Sequence, residues 1–217
     1  MKKILVISPH PDDETLGCGG TLLKHRSKGD QINCLLITSP NKHHKLFKKY
    51  QNIFKKINQA YKFKNFLNLN LEATKLDTVK NKLLIDMIAK CIIKIKPNIL
   101  YIPCPYDAHE DHKKIYNAMI PFTKSFRYPY IKEILIYETL SETNFDVMEK
   151  KSFKPNHWID ISKFINKKIK IMRIYKSELK NHPFPRSKDS IISLAKLRGS
   201  FSNCKYAESF NLIKKIT

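Results

Sequence analysis

Residues 3–20 read KILVISPHPDDETLGCGG. An unbroken apolar run, residues 4–7, leads directly into His10-Pro11-Asp12-Asp13-Glu14, which sets one imidazole and three carboxylates in five positions. Gly17, Gly19 and Gly20 then introduce a helix that runs to about Lys28 and closes at Gly29. A continuous apolar run of strand length is the pattern of a strand buried on both faces, as in parallel sheets wrapped by helices. A buried strand ending in clustered acids needs something positive to hold them.

The same punctuation repeats downstream. Residues 32–38 are strand-like. Apolar residues at Leu46, Tyr50, Ile53, Phe54, Ile57 and Tyr61 follow helical spacing, with lysines on the outer face. Residues 63–71 hold a short strand, and Asp77-Thr78 reads as the cap of a helix stopped by Lys96-Pro97. NILYIPC, residues 98–104, is a third clear strand; a turn, PYDAHEDH, leads into a helix over 111–122, and KEILIYE, 132–138, is another strand. Trp158-Ile159-Asp160-Ile161 precedes a helix whose apolar face is Ile161, Ile165, Ile169, Met172 and Tyr175. The loop NHPFPRS follows, then a helix over 189–198 with Gly199 in the stop position. Strand and helix alternate, so the expected fold is α/β: a Rossmann-like, doubly wound, mostly parallel sheet flanked by helices, with a helical C-terminal segment.

The chain has 217 residues with 42% hydrophobic side chains, which suits a single domain over 1–217 with a sizeable core. No window is long and apolar enough for a membrane span, and no signal peptide is read. Cys18, Cys34, Cys91, Cys104 and Cys204 are scattered and odd in number, a pattern of reduced thiols in a cytoplasmic protein. The net charge of +22 would attract nucleic acid, anionic surfaces or phosphorylated substrates. Yet the lysines are spread along the chain and no nucleic-acid motif is present, so no specific nucleic-acid partner is expected.

Both histidine-acid clusters, 10–14 and 107–112, directly follow strands, so a doubly wound sheet can bring them to one edge. A hydrolytic zinc takes three ligands from His, Asp and Glu and leaves one position for water. His10 and Asp13, with one histidine of His109-Glu110-Asp111-His112, supply that set, and the remaining groups are free to act as base, orienter and acid. Alone, Asp12, Asp13 or Glu14 is more often a helix cap than a ligand, and each histidine reads as a surface or strand-end residue. Two clusters at two strand ends favour the metal.

SPHPDDETLGCGG, PYDAHEDH, and WIDIS followed by a helix and YKSE together resemble the LmbE-like, or PIG-L, family of metal-dependent de-N-acetylases over almost the whole chain. The resemblance implies a Rossmann-like hydrolase that removes the acetyl group from an N-acetylglucosamine-type conjugate and releases acetate. It implies that His10, Asp13 and His112 bind Zn2+, with Fe2+ suited to the same donors. Asp12 would be the general base, and His109 the oxyanion stabiliser or general acid, its ring held by Asp111. Glu14 and Asp107 flank this site as substrate-facing or supporting groups. Asp77 is a candidate for a sugar hydroxyl, while Arg186 and Arg198, near His182, are candidates for an anionic aglycone. Residues 45–64 carry only lysines as basic groups, where relatives place an arginine. A homo-oligomer is compatible with the resemblance. The competing reading is a basic protein that binds nucleic acid or anionic surfaces on a degenerate hydrolase scaffold. A nucleotide-dependent enzyme is disfavoured because G-x-G-x-x-G is absent.

Overall fold

The first apolar run forms the strand β1 (Lys3–Ser8), an inner strand of a seven-stranded sheet in a computed structural model that describes residues 1–145 and 152–217. The other strands are β2 (Gln31–Thr38), β3 (Asn65–Leu71), β4 (Ile99–Pro103), β5 (Glu133–Tyr137), β6 (His157–Asp160) and β7 (Ala207–Lys215). Their spatial order is β3-β2-β1-β4-β5-β7-β6; β1 to β5 are mutually parallel, and β7 runs antiparallel to both of its neighbours. Six helices flank the sheet among the described residues: α1 (Asp13–Ser27), α2 (Phe47–Tyr61), α3 (Asn81–Ile95), α4 (Glu110–Met119), α5 (Ile165–Met172) and α6 (Lys188–Ser200). The doubly wound α/β expectation holds.

Alternation along the strands divides the core into two layers. Ile4 and Val6 of β1, with Ile99 and Tyr101 of β4, face a cluster closed by α1, α2 and α5. Leu5 and Ile7, with Leu100 and Ile102, face a second cluster closed by α3 and α4. Because β1 leads to β2 on one side while β4 pairs on its other side, the loops leaving β1 and β4 diverge and open a crevice at their carboxyl ends. Both histidine-acid clusters lie in those two loops.

The boundaries differ from expectation in informative ways. Helix α1 begins at Asp13, not at the glycines, and these serve close packing instead. A Cβ on Gly20 would stand 2.7 Å from the Ile161 Cβ, and one on Gly17 would overlap the Tyr137 ring. Asp77 caps nothing: it lies in a short 3-10 turn (Leu76–Thr78), and α3 starts three residues after that turn, at Asn81, without a side-chain cap. Helix α6 continues through Gly199 to Ser200, and the glycine makes room for the Cys204 carbonyl, 2.5 Å from where a Cβ would sit.

Strand β7 is absent from the sequence reading. It carries Glu208, only 5% exposed, which accepts the Gly20 and Thr21 N–H groups at 2.8 and 2.7 Å and pairs with buried Lys168 at 2.7 Å. The ion pair fastens the middle of α1 to β7 and α5. Gly20→Ala would force Ile161 or the helix to move, costing about 1–3 kcal/mol of overpacking strain. A lowered urea midpoint with an unchanged m-value is the expected result; an unchanged midpoint would show that α1 does not depend on this close approach.

Candidate metal centre

The loop after β1 is built around a backbone that side chains other than glycine rarely adopt. Asp12 has φ 111° and ψ −27°, and it precedes the first turn of α1 as the N-cap, with its carbonyl accepting from Thr15 and Leu16. Glu14 holds this turn from below. Its carboxylate accepts the Asp12 N–H at 3.3 Å, the Thr15 hydroxyl at 2.6 Å and the Tyr175 hydroxyl at 2.9 Å, while Ser8 Oγ takes the Glu14 N–H at 3.2 Å. Burial raises its pKa against those donors. Glu14 is therefore a buttress of the loop rather than a substrate contact.

Three ligand atoms from the two clusters converge. His10 Nδ1 lies 3.2 Å from His112 Nε2 and 3.4 Å from Asp13 Oδ2, and His112 Nε2 lies 3.2 Å from Asp13 Oδ2. Ligand atoms about 2.0–2.1 Å from a tetrahedral zinc stand about 3.3 Å from one another. The donor set, two imidazoles and one carboxylate, suits Zn2+ and also Fe2+.

The far side of each ring explains why lone pairs face inward. Asp107 Oδ2 meets His112 Nδ1 at 2.6 Å, and Asp111 Oδ2 meets His10 Nε2 at 3.0 Å. A carboxylate only accepts, so each contact assigns the proton to the outer nitrogen and leaves the inner one bare. Asp107 is itself held by the Thr143 hydroxyl at 2.6 Å, and Asp111 by the N–H groups of Thr74 at 2.8 Å and Leu76 at 3.3 Å. Three lone-pair atoms facing one another repel unless a cation lies between them. Burial opposes charge on His112, but Asp13 and Asp107 outweigh it and push the ring up to about 10. Burial likewise opposes ionisation of Asp13, yet the two histidines hold it far below the usual carboxylate range. The centre draws in a cation, and a divalent metal meets the same attraction as a proton.

Two assignments change here. Asp111 orients His10, not His109; the His109 ring instead caps α4, its Nδ1 accepting the Asp111 N–H at 3.1 Å. That contact leaves the His109 proton on Nε2. Burial, then repulsion from His10 and His112, brings His109 down to about 4, so it is a neutral donor at neutral pH and not a standing cation. Asp107, expected to face substrate or support the site, is fully buried behind His112 and orients it.

A cavity of about 460 Å³ opens over the cluster, walled by His10, Asp12, Asp13 and His109. Asp12 is 2% exposed; burial and the Asp13 charge raise it well above the ordinary carboxylate range, while Arg186 pulls it back. Arg186 does reach this cavity, with Nη1 3.5 Å from Asp12 and Nη2 3.2 Å from Glu178. Arg198 does not. Its guanidinium is engaged by Glu138 at 2.8 and 2.6 Å, and the same carboxylate accepts the Ser209 hydroxyl, so it ties α6 to the sheet. Asp77 lines a separate shallow cleft beside Thr74, His109 and Asp111, outside the main cavity. Sequence reading missed Glu72, Glu142, Tyr50 and His44 in the cavity wall. They come from loops after β2, β3 and β5 and from α2, and their only advance signal is that these loops leave the carboxyl edge of the sheet.

Comparison with known proteins accords with this geometry. A family model described as PIG-L, GlcNAc-PI de-N-acetylase, matches residues 5–123. The diacetylchitobiose deacetylase of Thermococcus kodakarensis is 24% identical over all of this chain and 85% of its own length. The solved N,N'-diacetylchitobiose deacetylase of Pyrococcus horikoshii, in complex with an inhibitor, superposes with a TM-score of 0.78 at 22% identity, covering 98% of this chain and 84% of that one. The 4-carboxy-2-hydroxymuconate hydratase GalB of Pseudomonas putida KT2440 shares the fold at a TM-score of 0.74 and 13% identity, over 100% of this chain and 98% of that one. With its family model spanning both histidine-acid clusters, the chain belongs to the PIG-L family of de-N-acetylases, hydrolases of amide bonds.

Proposed function

We propose that this enzyme uses a divalent metal, zinc in the first instance, to remove the acetyl group from an N-acetylglucosamine-type conjugate. The observation that carries the reading is the meeting of His10 Nδ1, Asp13 Oδ2 and His112 Nε2 within 3.2–3.4 Å on the floor of the cavity. When bound there, the metal would acidify a water and polarise the acetamide carbonyl. Asp12, buried beside the ligands with a raised pKa, accepts the proton of the attacking water. His109 donates from Nε2 towards the oxygen on which negative charge develops. The protonated Asp12 carboxyl then returns its proton to the departing amine as the C–N bond breaks, giving acetate and the free amino sugar. Assigning both proton steps to Asp12 follows from the low pKa of His109, which at neutral pH is a hydrogen-bond donor and not an imidazolium acid.

The cavity also bears on the conjugate. Asp12, Asp13, Glu72, Glu142 and Glu178 face it, against a single arginine already shared by two of them. With Arg198 committed elsewhere, no spare side-chain cation lines the cavity among the described residues, so a neutral aglycone fits better than the anionic one suggested by net charge. The names of the related diacetylchitobiose deacetylases agree with a neutral saccharide. A binding-only protein would have no use for a base beside two oriented histidines, and the enzyme reading is preferred to it.

Acetate release from neutral N-acetylated saccharides by zinc-loaded protein is the direct test. Asp12→Asn should lower kcat by about 10²–10⁴-fold while retaining stoichiometric metal, as the loss of a general base predicts. Full activity in that variant would remove Asp12 from the mechanism, and metal-loaded wild type inert on every N-acetylated saccharide would remove the substrate class.

Asp107→Asn tests the orienting contact. It should weaken metal affinity by about 10–100-fold, measured by competition with a chelator. In the wild type, affinity should rise with pH from 6 to 8, because His112 lies at about 10 without metal and must lose its proton to bind. A flat pH profile would contradict the ligand assignment.

A further inference from the structure

Five parallel strands enter the sheet at one edge, and the metal centre lies beyond the other. The segments leading into β1 to β5 are residues 1–2, 28–30, 62–64, 96–98 and 124–132, and β7 returns to the same edge to end in residues 216–217. Backbone hydrogen bonds join them side by side. The Gln31 N–H donates to the Lys2 carbonyl at 2.9 Å, Asn98 to Lys3 at 2.7 Å, Lys132 to Asn98 at 2.8 Å and Ile216 to Lys132 at 2.9 Å. With neighbouring strands about 4.8 Å apart, the six strand ends form one face about 24 Å wide.

This face is basic beyond what composition supplies. Eight of the 22 residues in these segments are Lys or Arg, about twice their share of the whole chain, 41 of 217, and all eight are exposed. Asp30 is the single acid, and it is held by the Lys2 N–H at 2.8 Å and by His25 at 2.9 Å. Among the described residues, only Lys2 of the eight has a carboxylate partner, Glu133 at 3.5 Å. Helices α1, α2 and α3 finish at this edge, and cations near a helix C-terminus serve its dipole. The dipole does not explain Lys62 and Lys96, which occupy left-handed C-caps at φ 56° and 51°, a conformation that glycine adopts without cost. Neither side chain has a hydrogen bond or ion pair among the described residues. The backbone is strained at both positions, and a cation stands free at each.

Apolar side chains project from the same face. Met1 is 85% exposed, Phe126 78% and Ile216 39%. The Arg127 guanidinium lies 5.6 Å from the Phe126 ring centroid, and Lys214 Nζ ties the start of this loop to β7 through the Thr123 carbonyl at 3.0 Å. Free cations around exposed aliphatic and aromatic tips match a lipid surface, where the cations meet headgroup phosphates and the tips enter the acyl boundary. A nucleic acid would match the charge but offers Met1 and Ile216 no apolar medium, and α1 to α3 meet this face by their ends, with no helix laid along it for a groove.

We propose that the amino edge of the sheet docks on a bilayer surface rich in anionic headgroups. The six residues of β1 span about 20 Å between that surface and the metal centre, so the cavity opens away from the membrane and takes its substrate from solution. The inference does not depend on the hydrolytic reaction.

Co-sedimentation with vesicles tests it. At physiological salt the protein should sediment with vesicles of equal parts phosphatidylglycerol and phosphatidylcholine and stay in solution with phosphatidylcholine alone. Lys62→Gly/Lys96→Gly relieves both left-handed lysines, so it should melt at a higher temperature than wild type and yet bind the mixed vesicles about 25-fold more weakly, about fivefold for each cation. Lys124→Gln, at an exposed position outside the helices, should cost about fivefold, whereas Lys42→Gln, in the loop after β2 at the opposite edge, should cost nothing. Phe126→Ser should weaken binding about tenfold, and raised salt should not remove that difference. No sedimentation with the mixed vesicles, equal sedimentation with both kinds, or wild-type binding by the Lys124→Gln and Phe126→Ser variants would overturn the proposal. Single-stranded RNA that displaces the protein from vesicles, and that binds Phe126→Ser as tightly as wild type, would assign the face to nucleic acid instead.

Discussion

Two imidazoles must present bare nitrogens to one carboxylate oxygen, and the rest of the site follows from that constraint. Left alone, the His10 and His112 rings would rotate to escape the crowding. Asp111 and Asp107 prevent this by taking the outer N–H of each ring at 3.0 and 2.6 Å. Those acids are fixed in turn by Thr74 and Leu76 after β3 and by Thr143 after β5. The loops following β1, β3, β4 and β5 therefore meet in one network. A parallel sheet is the arrangement that delivers them to the same edge, and this is the physical link between the fold and the chemistry.

The C-terminal third supports the same loop from underneath. An aspartate at φ 111° is a strained position, costing on the order of 1–3 kcal/mol, and it persists only where its surroundings over-determine it. Here Glu14 takes the Asp12 N–H, and the Tyr175 hydroxyl, just beyond α5, holds Glu14. Glu208 on β7 fixes α1 about two turns further along. Arg186, held by Glu178, then reaches back over the cavity to Asp12. A fold with a related sheet serves a hydratase, so activity is argued from these side chains and not from the sheet alone.

The elements that were legible in the sequence are those whose signal is local. Residues 4–7, 32–38 and 98–104 are long apolar runs ending in turn or acid residues, and they became β1, β2 and β4. The two histidine-acid clusters could be placed on one edge before any coordinates, because strand ends in a wound sheet share it. What failed was the choice of partner. Asp111 could reach either His10 or His109, and Glu14 could face the cavity or the core; spacing along the chain does not distinguish these. Strand β7 is not legible because Glu208 interrupts its apolar pattern, and that carboxylate is tolerable only through partners distant in sequence, Lys168 and the Gly20 and Thr21 N–H groups. Arg198 was singled out because arginines are scarce, yet scarcity says nothing about which carboxylate lies opposite.

Net charge misleads for a related reason. A formal charge of +22 describes the whole surface, whose influence decays over a Debye length of about 8 Å at physiological salt. A molecule inside the cavity feels the groups in its walls first, and the charged side chains among them are mostly carboxylates. The same chain can therefore draw anions towards its exterior while its reaction chamber disfavours them. Helix α1 itself presents acids in its first turn, Asp13 and Glu14, and bases in its last, Lys24, His25 and Arg26, so each end carries the charge that its dipole favours, and the acids that its start requires are the ones that meet the two histidines.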